Sequence, residues 1–186
     1  MADRRGWELD VHPLPLLLHN HPERIAAEVE ALATELAGSY HRVVVGYADC
    51  GTYGALDEVC DRLGLSRLAG LHCYDVYGGA QRLAGWFAEQ PGTYVLTDFL
   101  VRSFARTVVT ELGLDRHPEL RDAYFGNYTR AVWLAQRPTT DLRRRADDAA
   151  AVLGLPLRVV EVGNAGLEHS LAEALGRRVP PRLRQE

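Results

Sequence analysis

Short apolar runs alternate with stretches of helical period, and no other feature of this chain restricts its fold as much. Val43-Val44-Val45-Gly46-Tyr47 gives way to a turn, Asp49-Cys50-Gly51-Thr52-Tyr53-Gly54. Leu56, Val59, Cys60 and Leu63 then recur at three- and four-residue spacing before Gly64 stops the pattern. The same reading predicts strands at positions 9–11, 42–47, 68–73, 93–97 and 157–162. It predicts helices opening at Pro22, with Ile25, Val29, Leu32 and Leu36 inward, and at 54–63, 80–87 and 99–112. Segment 118–137, carrying Tyr124, Phe125, Tyr128 and Trp133, reads as an aromatic helical insertion that covers the sheet.

Strand followed by helix, repeated, implies an α/β protein: a mostly parallel sheet with helices on both faces, a three-layer flavodoxin- or Rossmann-like architecture. With 186 residues and 47% apolar content the expectation is a single domain over 1–178. Pro180, Pro181 and the neighbouring arginines predict a loose tail over 179–186.

Charge and composition exclude several functions. The net charge is −4, and the densest basic cluster, Arg143-Arg144-Arg145, lies among Asp141, Asp147 and Asp148, so nucleic acid is not expected. All 21 basic residues are arginine, which removes Schiff-base, Walker-type and general-base lysine chemistry. No apolar stretch approaches bilayer length. Three cysteines, an odd number, with no apolar leader at the start predict a reducing, cytoplasmic setting.

Residues just past strand ends carry the candidate chemistry, because α/β proteins build their sites there. Cys50 sits in a turn with Gly51 and Gly54 that opens a helix, where a helix amino terminus favours a thiolate or a bound anion. Cys73, in His72-Cys73-Tyr74-Asp75, ends the next predicted strand. Neighbouring strands are roughly 5 Å apart, so the two thiols could share a zinc ion or an iron-sulfur cluster. His72 is a further ligand candidate, and so is His19, two residues from His21 in what reads as extended chain.

Asp98 follows the strand 93–97, and Asp49 and Asp98 could flank the thiols as hard ligands, as acceptors that orient a histidine, or as general bases. The plainer alternative is that Asp98 or Thr97 caps the next helix. Cys50 could instead be a nucleophile with His72 as base and Asp98 orienting it. Gly163 and Gly166 close the last strand in a second glycine-rich turn, which with Gly51 and Gly54 could hold an anion or nucleotide without metal. Cys60, on an apolar helix face, reads as inert core.

Leu18-His19-Asn20 before Pro22-Glu23-Arg24-Ile25, Tyr47 to Gly51, His72-Cys73-Tyr74, Gly92 to Leu100 and Tyr124-Phe125-Gly126-Asn127-Tyr128 together resemble the DUF1638 family, in the family's order, from about Trp7 to Leu175. The resemblance implies a genomic context of corrinoid-dependent methyltransferases, hence a corrinoid protein or methyltransferase as partner and a role in one-carbon metabolism. It also implies an earlier strand ending in Cys-Gly, which this chain lacks. A sheet without that strand would expose an edge to another copy, so a homo-oligomer is an expectation as well.

Overall fold

The computed structural model describes residues 5–176. They form a mixed α/β protein whose strands all pair in parallel, as the alternation predicts. The chain divides into two compact units, residues 5–73 with 167–176 and residues Tyr74–Gly166. The expected tail, 179–186, lies outside the described residues.

In the first unit a 3-10 turn, Leu16–Asn20, leads into α1, Pro22–Leu36. Pro22 suits the first turn because it has no N–H to leave unpaired. Helix α1 buries Ile25, Val29 and Ala33. Strand β1, Val44–Val45, pairs with β2, Ser66–Arg67, and between them runs α2, Ala55–Leu63. Leu56, Val59 and Cys60 of α2 join Leu18, Ile25, Val29 and Val45 in one apolar cluster.

The second unit is built on a three-stranded parallel sheet of order β3-β4-β5: Thr93–Thr97, Arg130–Ala135 and Leu157–Glu161. Before it come α3, Cys73–Gly78, which starts at the last residue of the first unit, and α4, Ala80–Glu89. Helix α5, Asp98–Phe104, follows β3 and runs into a π-type turn, Ala105–Thr110. Then come α6, Arg121–Phe125, and, between β4 and β5, α7, Thr140–Leu153. Helix α8, Ala165–Gly176, returns the chain to the first unit. One face of the sheet packs Leu96, Trp133 and Ala135 against Phe104, Leu142, Ala146 and Leu153. Val95, Val132 and Leu134 pack with Leu83 on the other.

Four local readings are corrected. Positions 9–11 form no strand, and Val11 is largely exposed rather than packed as a sheet residue would be. The strand expected at 68–73 lies earlier, at Ser66–Arg67, and Cys73 opens a helix. The segment 118–137 is not one helical insertion. It contains β4, the central strand, whose Trp133 side chain is fully buried. A central parallel strand is apolar on both faces, so it shows no alternation to separate it from a buried helix. Lastly, His19 lies in the 3-10 turn rather than in extended chain, so its spacing from His21 does not place both rings on one face.

Candidate functional site

The thiol site belongs to the first unit and is organised by one carboxylate. Asp49 accepts the Thr52 hydroxyl at 2.7 Å and the backbone N–H groups of Gly54 at 3.1 Å, Gly51 at 3.2 Å and Tyr53 at 3.3 Å. These bonds hold its carboxyl below the usual range, the Thr52 hydroxyl contributing most. They also bend the chain tightly: Cys50, Gly51, Tyr53 and Gly54 all have positive φ, at 53°, 84°, 52° and 91°. Glycine takes that conformation freely, whereas Cys50 and Tyr53 carry a steric cost of about 1–2 kcal/mol each. Strain of this kind gathers where a side chain must be aimed.

The turn is fastened to the loop before α3. Asp49 N–H donates to Gly70 O at 3.1 Å, and Cys50 N–H to Leu71 O at 2.8 Å. Arg67 stabilises that loop from β2, with its guanidinium bidentate on Asp57 of α2 at 2.6 and 2.8 Å and a further bond to Leu68 O at 2.8 Å.

This fastening brings Cys50 and Cys73 together. The Cys73 thiol and the Cys73 backbone N–H both hydrogen bond to the Cys50 sulfur, and together with Ala48 they lower its pKa against burial and the nearby Asp49 charge. Both thiols are half-buried, and the three cysteines are not bridged. Tyr47 faces the same pair; burial pushes its phenol up, and the thiolate charges add to the effect. Cys60 differs in kind: it is 4% exposed, and burial pushes its thiol up to about 11. The site therefore sets two sulfurs side by side, with the Cys50 thiol held below its ordinary range.

Two histidines read from the sequence belong to the same unit as the thiols. His72 is exposed, immediately before Cys73. His19 keeps solvent exposure, while surrounding chain lowers its pKa by burial. Among the described residues, no group of three or more His, Cys, Asp or Glu side chains stands ready to hold a metal ion.

Asp98 is in the second unit, 4% exposed, and its oxygens accept the Trp133 indole N–H at 3.0 Å, Gln136 N–H at 3.1 Å and Arg137 N–H at 2.9 Å. It joins the end of β3 to the end of β4, while Thr97 caps α5 by accepting from Leu100 N–H. Gly163 N–H donates to Ala135 O, and a Cβ on Gly166 would stand 2.3 Å from Val76 O, so that glycine permits a close backbone approach. An open depression of about 340 Å³ lies beside β4 and β5, lined by Trp133, Thr139, Arg143 and Glu161 among others, which the sequence did not disclose.

The family model described as a protein of unknown function, DUF1638, matches residues 14–171. The chain belongs to the DUF1638 family. The match spans the whole thiol site of this DUF1638 protein, from Tyr47 through Cys73, and the Asp98 clamp. No curated protein and no solved structure matches the chain. No helix among the described residues is long and apolar enough to cross a membrane.

Proposed function

We propose that this DUF1638 protein works through a Cys50 thiolate, with Cys73 as the group that donates to it and Tyr47 walling the pair. The turn that Cys50 N–H fastens to Leu71 O, two residues before Cys73, carries the reading, because it sets a second thiol beside the Cys50 sulfur and a hydrogen bond there favours the nucleophilic form. The partner is a soft electrophile. The methyltransferase context implied by the family resemblance puts an activated methyl group, delivered by a corrinoid protein, first among them. Cys50 sulfur would form the bond to carbon as the carbon's bond to its carrier breaks and the electron pair leaves with the carrier. A reducing cytoplasm keeps both thiols available for this step.

Anion binding at the Cys50 turn is the weaker alternative. The N–H groups of Gly51, Tyr53 and Gly54, which would meet an anion, are already directed at Asp49. A soft metal ion is the second reading, favoured by two adjacent sulfurs, with His72 or His19 to complete its shell.

Competitive alkylation with peptide mapping tests the proposal: at neutral pH Cys50 should label well ahead of Cys60. Equal labelling of Cys50 and an unfolded control would refute it. Metal and sulfide content after anaerobic purification separates the second reading. Metal lost in both Cys50→Ser and Cys73→Ser but kept in Cys60→Ser would favour it.

A further inference from the structure

We infer that Cys50 and Cys73 are a reversible disulfide pair, so that oxidation by a low-molecular-weight disulfide closes a covalent bridge between the Asp49 turn and the start of α3. One observation pairs the sulfurs, and two more describe the backbones that carry them. The thiols already hydrogen bond to one another. The Cys50 N–H bond to Leu71 O fixes the backbones at that point. Cys50 lies in a turn and Cys73 is the first residue of a six-residue helix, so neither is locked within a long element. Half-burial admits a small oxidant to this pair, while Cys60 stays enclosed in the apolar cluster.

The exchange balances. The Cys50 thiolate attacks one sulfur of the oxidant disulfide, whose S–S bond breaks to release one thiolate. Cys73 loses its proton to that leaving thiolate and attacks the Cys50 sulfur of the mixed disulfide, releasing the second half of the oxidant. Counted from the Cys50 thiolate, two electrons and one proton pass from the cysteines to the oxidant, and its second half leaves as a thiolate that takes its proton from water. The bridge rests on the proposed function only for its consequence, which is that oxidation silences the Cys50 nucleophile.

The test uses the full chain equilibrated with graded ratios of oxidised to reduced glutathione, followed by acid quenching, intact mass and non-reducing peptide mapping. The expected product is lighter by two hydrogens, joins the Cys50 and Cys73 peptides, leaves Cys60 free and returns to the starting mass on reduction. In Cys73→Ser the reaction should stop at a mixed disulfide on Cys50, and circular dichroism with a Cys73→Ala variant controls for unfolding. A wild-type protein that accumulates the mixed disulfide without crosslinking would overturn the inference, as would a bridge to Cys60. Fast alkylation of Cys50 without a crosslink would remove the bridge and leave the nucleophile. A crosslink with slow alkylation would do the reverse.

Discussion

Cys50 N–H donates to the Leu71 carbonyl at 2.8 Å, and this bond sets a strained turn against the residues that lead into Cys73. The turn would not hold its shape on backbone preference alone, since two of its left-handed positions are a cysteine and a tyrosine. Asp49 supplies the compensation with four accepted hydrogen bonds. The thiol pair therefore depends on a carboxylate that itself touches no substrate in this account.

Asp49→Asn puts an NH2 group where an oxygen now accepts backbone N–H groups. The expected loss is about 1–3 kcal/mol of stability, read by urea unfolding, together with slower Cys50 alkylation. The pH dependence has a definite sign. Because the folded-state carboxyl lies below its ordinary value, its contribution is complete above the unfolded pKa of about 3.9 and disappears as pH falls through the folded value. Asp49→Asn should flatten that acid limb; an unchanged limb would show that the turn does not depend on the charge.

Tyr53→Gly should be neutral or stabilising. Tyr53 is 96% exposed at φ 52°, so glycine removes the left-handed cost and forfeits little packing. After glycine's larger unfolded-state entropy is counted, the gain is up to about 1 kcal/mol, a rise in Tm of roughly 2–4 °C. A lower Tm would mean that the side chain makes a contact that its exposure does not suggest.

Asp98→Asn should cost about 2–3 kcal/mol, because at least one of the N–H groups of Trp133, Gln136 and Arg137 would then face a donor. Unfolding followed by tryptophan fluorescence measures this. The labelling rate of Cys50 in the folded variant should not change. A changed rate in a fully folded variant would return Asp98 to the catalytic candidates.

What the sequence disclosed follows the physics of each element. Helix α2 was legible in full, because one face is apolar, the other charged, and Gly64 takes the left-handed stop at φ 63°. Strand β4 was not, because Ala131 to Ala135 are all buried and a run without polar positions has no period to read. Helix α7 was hidden behind its charges. Arg143, Arg144 and Arg145 looked like a cluster, and only the fold shows that they pair with Asp147, Asp148 and Asp141 along one helix. The site divides in the same way. Cys50 and Cys73 could be singled out by residue type, but Asp49 as organiser of the turn depended on four hydrogen bonds that no spacing rule encodes. The metal reading arose from placing both cysteines at strand ends, whereas Cys73 begins a helix and donates to Cys50.

That Cys73 lowers the pKa of Cys50 is tested most directly by the pH profile of Cys50 alkylation in the wild-type chain and in Cys73→Ser. The wild-type midpoint should lie below the ordinary thiol value of about 8.5 and the variant's midpoint higher, with Cys60 unreactive across the same range. A Cys50 midpoint at or above the ordinary value, unmoved by the substitution in a folded protein, would contradict it.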